Sequence, residues 1–290
     1  MAAGTSTPDV AGAPSDPFGG VSTISKPYRA GVPPLVPYFK ELWARRQFAR
    51  EMARSTMRAS YADTLLGRVW DLLNPVFTGM IFYLLVAVIS GGLKEADFFA
   101  WLMSGLFVFT FVSTAMTDGV KSIVQAGGII LNTPFPKALL PLSNIWIELQ
   151  RFLLSMIILF GICLWAGITP SVAWFVAIPW IVIITLFAIG CSMMMACAQV
   201  YFRDAGQLIP YILRLWLYAC PILWLPMKET QFLTYTNPLY CVILGFDEII
   251  IKGQVPSLAT TGAALAWTLA VFIFGVWVFM SRERDFAIRI

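Results

Sequence analysis

Beyond residue 71 the chain is dominated by six long apolar stretches, 72–90, 98–117, 142–166, 174–198, 208–225 and 262–280. A bilayer core of about 30 Å takes about 20 helical residues to cross, so the pattern predicts six transmembrane helices. Continuous apolar runs exclude the alternating strands of an outer-membrane barrel. Pro75 and Pro179 lie near the starts of the first and fourth stretches, where a missing N–H costs least. The fifth is the weakest, being short and punctuated by Pro210, Arg214 and Pro221. Between the fifth and sixth, residues 240–251 are apolar but too few to span. Gly245 and the pair Asp247 and Glu248 interrupt them, which predicts a segment that dips into the outer leaflet and returns. Such a turn is tolerated only where protein surrounds it.

The segment ahead of the spans has two parts. Residues 1–37 are rich in Ala, Gly, Ser, Thr and Pro and carry no apolar period. They read as a disordered cytoplasmic tail, and they lack the basic start and apolar core of a secretory signal. From residue 38 to 60, Phe39, Leu42, Trp43, Ala49, Met52, Ala53 and Met57 approximate a helical stripe, while Arg46, Arg50, Arg54 and Arg58 recur every four residues on another face. This predicts a basic amphipathic helix lying in the headgroup plane, within a segment 38–71 that leads to a membrane domain over 72–290. A solvated helix of a small cytoplasmic domain is the alternative.

Charge placement gives the orientation. With the N-terminus inside, the predicted cytoplasmic segments hold 15 of the 20 Lys and Arg residues. The outer loops hold three, Lys94, Lys228 and Lys252. That imbalance puts both ends in the cytoplasm. Composition narrows the chemistry further. At 59% apolar and 12% charged, the chain lies far from the roughly 45–50% and about 25% of soluble domains. Histidine is absent, which removes Ser-His-Asp chemistry and histidine proton relays. The five cysteines form no C-x-x-C pair and read as small apolar residues, and no G-x-x-x-x-G-K-[ST] phosphate loop is present.

Ionisable groups within spans are functional candidates. Glu148 and Arg151, at i and i+3, can neutralise one another on one helix. Arg214 has no partner in its own span. Tyr211 and Tyr218, at i−3 and i+4 from it, share its face, so the three predict a substrate path. The competing arrangement pairs Arg214 with Glu148. Trp43, Trp70, Trp101, Trp146, Trp165, Trp174 and Trp180 fall near span ends, as interfacial belts do. Tyr211, Trp216, Tyr218 and Trp224 crowd one span instead, and aromatic faces suit sugar rings. The loop after the second span, QAGGIILNTPFPKALLPLSN, has helix-breaking Gly127 and Gly128 and offers Ile129, Ile130, Leu131 and Phe135 to the cytoplasm, as a docking surface for a soluble partner would.

Four segments, in order, carry a resemblance: TLLGRVWDLLNPVF (64–77), NTPFPKALLPLSN (132–144), YFRDAGQLIPYILRLWLYACPILW (201–224) and TNPLYCVILGFDEIIIKG (236–253). Together they resemble ABC-2 type permeases that export bacterial polysaccharides, with the O-antigen, teichoic-acid and actinobacterial cell-wall galactan exporters as the nearest likeness. The resemblance implies an all-α integral membrane protein that forms a homodimer and binds two separate ATP-binding-cassette ATPase subunits. ATP and Mg would sit on those subunits and no cofactor on this chain. The cargo would be a polyprenyl-pyrophosphate-linked glycan, in contact with membrane lipid and no nucleic acid, at the bacterial plasma (inner) membrane. It further implies ATPase coupling through Asn132, Thr133, Pro134, Phe135, Pro136 and Lys137. An outer re-entrant gate would comprise Asn237, Pro238, Gly245, Asp247 and Glu248. A drug or lipid exporter of the same fold is the alternative. Absent histidine and paired carboxylates disfavour a membrane-embedded glycosyl or acyl transferase. The lack of internal repeats disfavours a proton-coupled secondary transporter.

Overall fold

The computed structural model describes residues 35–61, 67, 69–92, 95–132 and 135–289. The expected tail up to residue 34, the 62–66 stretch, Arg68, Lys94, Thr133 and Pro134 lie outside the described residues. So do the side chains of Phe39, Arg58, Ile129, Leu131, Asn132 and Lys228.

All regular structure among the described residues is helical. The order is α1 (Leu35–Ala44), α2 (Arg46–Tyr61), α3 (Val69–Ser90), α4 (Ala96–Gln125), α5 (Gly127–Asn132), α6 (Leu139–Trp165), α7 (Ala177–Tyr201), α8 (Ala205–Tyr218), α9 (Leu233–Thr236), α10 (Pro238–Ile250), α11 (Leu258–Arg282) and α12 (Phe286–Arg289). Among the described residues five helices are long and apolar enough to cross a membrane: α3, α4, α6, α7 with the 3₁₀ turn before it, and α11. The C-terminal ends of α3 and α6 close on Gly91 and Gly167, whose positive φ lets the following N–H reach back, Gly92 to the Ala87 carbonyl and Ile168 to that of Cys163. These caps turn the chain sharply at both helix ends.

The fifth apolar stretch does not form one span-length helix. It resolves into α8, of 14 residues, followed by a turn. At 1.5 Å per residue α8 is about 21 Å long, short of the bilayer core. Two features stop it. Pro221 has no N–H to continue the ladder, and the Ala219 carbonyl is taken by the Asn237 side-chain amide at 3.0 Å.

The 240–251 stretch also differs from expectation. Gly245 and the acidic pair do not interrupt it, because α10 runs unbroken from Pro238 to Ile250 and is buried on nearly every side. A Cβ at Gly245 would collide with the Trp180 indole, so glycine there permits close packing rather than a bend. Asp247 and Glu248 diverge because neighbours on a helix lie about 100° apart. Asp247 is fully buried beside Gly105, whereas Glu248 turns outward to pair with Lys252 at 3.4 Å.

α4 is the central helix, packing on α3, α6, α7, α8 and α10, and α11 lies along α7. The α7–α11 crossing is backbone on backbone: a Cβ at Gly190 would sit 2.6 Å from the Val271 carbonyl oxygen, and one at Gly275 would strike the Gly190 carbonyl. Without a hydrophobic driving force between helices in lipid, such small-residue crossings gain stability by dispersion over a close contact. α3, by contrast, leaves most of its apolar side chains exposed.

Gly275→Leu is expected to lower the thermal stability of the detergent-solubilised protein by about 2 kcal/mol or more, because overpacking a tight crossing forces the helices apart. Gly262→Leu, with no atom within 4 Å of its Cβ position, should leave stability unchanged. Equal effects at both sites would refute the close crossing.

Candidate functional site

α4 stops at Gln125 and the chain restarts as α5 from Gly127. The glycine pair therefore breaks the helix where the sequence predicted, but of the apolar residues expected on the surface Ile130 turns inward and Phe135 is partly covered. Ile130 is buried in a cluster with Ile123, Ala138, Met193 and Phe279. Phe135 is half-buried against Phe48 of α2, with ring centroids 5.5 Å apart, and Pro136 is buried. The restart at Gly127 lays α5 against α12 and the end of α4, so Ile130 joins that core.

Lys137 is fixed from two directions by one residue. Its backbone N–H donates to Glu283 Oε1 at 2.5 Å and its ammonium to the Glu283 carbonyl at 2.7 Å. Glu283 Oε2 accepts from the Tyr38 hydroxyl of α1 at 2.7 Å. Glu283 is buried, and burial pushes its carboxyl above the usual carboxylate range against the lowering effects of Tyr38 and Lys137. Burial also draws the Lys137 ammonium down, opposed by Glu283 and Asp285. Alongside, the Tyr201 hydroxyl donates to Asp285 Oδ2 at 2.7 Å, and Arg282 and Arg289 lie over the Tyr201 ring. Sequence reasoning assigned no role to Glu283 or Tyr38. The one available signal was two acidic residues, Glu283 and Asp285, among three basic ones in the last ten residues.

The amphipathic segment is two helices, broken at Arg45. Ala53 and Met57 of α2 bury against Ile147 of α6, while Arg46, Arg50 and Arg54 are exposed. Trp43 departs from the expected apolar stripe. The break places it on α1, 68% exposed, with Arg46 stacked on its ring at 5.1 Å. Arg54 pairs with Glu51 at 2.8 Å, both well exposed, a pair worth little in water.

Within the bundle, Glu148 and Arg151 pair directly, Arg151 Nε also reaches Asp71 of α3 at 3.1 Å, and Thr114 donates to Glu148 at 2.9 Å. These groups line a cavity of about 470 Å³ with Trp70, Phe107 and Phe111. The alternative bridge from Glu148 to Arg214 is thus not formed. Arg214 makes no ion pair among the described residues, and it shares the exposed face of α8 with Tyr211 and Tyr218.

Asn237 is the N-cap of α10. Its Oδ1 accepts from the N–H groups of Leu239 and Tyr240 and from Trp216 Nε1, while Pro238 occupies the first helical turn. Three of the expected belt tryptophans are instead buried donors: Trp101 to the Pro221 carbonyl, Trp174 to that of Ile250 and Trp180 to that of Val242, at 2.9–3.0 Å. Their position along the spans matched a belt, but their faces point inward to backbone that needed donors. Trp43, Trp70, Trp146 and Trp165 are exposed, as a belt requires. Tyr218, Trp224, Trp101, Glu95, Asp97 and Lys252 line an outer cavity of about 1360 Å³.

The five span-length helices among the described residues, the clasp at Glu283 and the buried α10 define a multi-pass, all-helical membrane protein. The chain belongs to the ABC-2 type transporter family, whose profile matches residues 47–251. It is similar to an O-antigen export system permease protein RfbA of Klebsiella pneumoniae, 28% identical over 204 residues that cover 69% of this chain and 78% of the relative. An O-antigen export system permease protein RfbA of Myxococcus xanthus is 24% identical over 262 residues, 87% of this chain and 99% of its own. ABC-2 permeases are transport subunits rather than enzymes and generally work with an ABC ATPase partner. The transferase reading is thereby set aside.

Asn237→Ala should lower stability by about 2 kcal/mol, combining a lost N-cap with unpaired Trp216 and Ala219 groups. Asn237→Asp, which keeps the capping oxygen but cannot donate to Ala219, should fall between. Thermal unfolding in detergent measures both, and an unchanged Ala variant would remove Asn237 from this role.

Proposed function

We propose that this chain is the permease of an ATP-driven polysaccharide exporter in the bacterial plasma membrane. It works as a homodimer with two ATPase subunits and carries a polyprenyl-pyrophosphate-linked glycan of O-antigen, teichoic-acid or galactan type. The observation that carries this reading is the similarity to permeases named for O-antigen export over most of both chains. The geometry supports it. A largely apolar outer cavity includes Phe98, Trp101, Tyr218 and Trp224 as stacking faces and Glu95 and Asp97 as hydroxyl acceptors.

Six crossings, with both ends in the cytoplasm, fit the contacts. The bond from Tyr38 to Glu283 joins the two ends, and that from Tyr201 to Asp285 joins the ends of α7 and α11. Parallel ends require the chain between them to return across the membrane once, and α8 with its following turn is the segment available. α10, too short to cross, then serves as the re-entrant gate with Asn237, Pro238, Gly245, Asp247 and Glu248. Asn132–Lys137 and the exposed arginines Arg46, Arg50 and Arg54 are the surfaces assigned to the ATPase and the headgroups. Arg214, with Tyr211 and Tyr218, faces the path between the two copies, where a pyrophosphate would offer the anionic partner it lacks.

Depletion of the protein should leave lipid-linked glycan on the cytoplasmic face, and affinity purification should bring down an ATPase with a phosphate loop. Absence of the ATPase, or accumulation of a non-glycan lipid instead, would overturn the glycan reading. In a cysteine-free background, Lys252→Cys should react with an impermeant maleimide in intact cells and Arg203→Cys should not. The reverse pattern would invert the topology.

A further inference from the structure

Glu283 connects elements that its position does not require it to connect. It follows the last residue of α11, yet it holds the hydroxyl of Tyr38 on α1 and both donors of Lys137 in the coupling segment. Phe286, fully buried against Phe279, and the contact of α12 with α5 pin the chain just beyond it. A carboxylate with 9% of its surface exposed holds its place here only through these donors, since a buried acceptor left unpaired is costly.

The other end of α11 lies at the outer helix pair. Trp267 Nε1 donates to the Tyr235 carbonyl of α9 at 2.9 Å, and α11 packs on α10. From Thr260 to Glu283 the helix covers about 35 Å without an internal proline. Its tight crossing with α7, at Gly190 and Gly275, is backbone on backbone and so resists local bending. A displacement of the coupling segment therefore reaches α9 and α10 along one rigid body.

We infer that Glu283 is a positioning residue for transport: it fastens the coupling segment to α11, which acts as the lever between the cytoplasmic surface and the outer α9–α10 pair. This rests on the reading of residues 132–137 as the ATPase contact. It adds a transmission element beyond the matched family segment, which ends at residue 251.

The test uses the full-length protein purified with its ATPase and reconstituted in lipid, with Lys252→Cys as an outer reporter in a cysteine-free background. Addition of ATP should change the maleimide reaction rate of this cysteine. With Glu283→Ala the ATPase should still copurify and hydrolyse ATP within about twofold. The ATP-dependent change in reactivity should fall by about fivefold or more, the lower range of an ordinary coupling free energy, and export should be lost. Glu283→Leu, which removes both side-chain acceptors while keeping the bulk, carries the same expectation if Glu283→Ala fails to insert, whereas Glu283→Gln, which keeps an acceptor for the Lys137 N–H, should retain part of the change. Tyr38→Phe, which removes one of three bonds, should give a smaller loss. Retention of the ATP-dependent change in Glu283→Ala, or in Glu283→Leu where the Ala variant fails to insert, overturns the inference, as does loss of ATPase binding, which would make Glu283 part of the docking surface. Failure of the unsubstituted protein to copurify with an ATPase would instead refute the coupling reading.

Discussion

A backbone break inside a bilayer must find its hydrogen bonds in protein, and in this molecule Asn237 meets most of that demand for the outer half. The chain leaves α8 at Tyr218, turns, and starts α10 at Pro238. That leaves end carbonyls of one helix and first-turn N–H groups of the next without partners. Asn237 serves both, accepting at the start of α10 and donating to the Ala219 carbonyl, and it also takes the Trp216 indole. Trp101, Trp174 and Trp180 complete the arrangement with donors to Pro221, Ile250 and Val242. The cost of unpaired polar groups in hydrocarbon is several kcal/mol each, so α10 can lie buried in the bundle only because these donors are already in place.

The opposite end of the bundle carries a different arrangement, in which α1, Lys137 and the end of α11 converge on one buried carboxylate. Polar links of this kind fix geometry more than they add stability, because desolvation offsets much of the attraction. Ile130 and Phe135 pack inward beside it.

Between the two halves the helices differ in what they offer. α4 is enclosed by neighbours, whereas α3 and one face of α8 are exposed. An exposed face carrying Arg214 between two tyrosines is poorly suited to lipid tails. A second copy and a hydrated path would give that face the polar surroundings it needs.

Sequence alone determined the class. Uninterrupted apolar length, scarce charge and the placement of Lys and Arg follow directly from the bilayer's thickness and polarity, and these act on each segment independently of the rest. The Glu148–Arg151 pair was legible for the same reason, because three residues along a helix set its distance. Tertiary structure decided everything that depends on facing. Trp101, Trp174 and Trp180 sit at belt positions but turn to backbone acceptors. Gly245 is a packing surface for Trp180 instead of a break, and Ile130 and Phe135 fold under the bundle. Glu283 meets Tyr38 across 245 residues of sequence. No local pattern encodes such a contact, since its energy exists only once separate helices have been packed side by side.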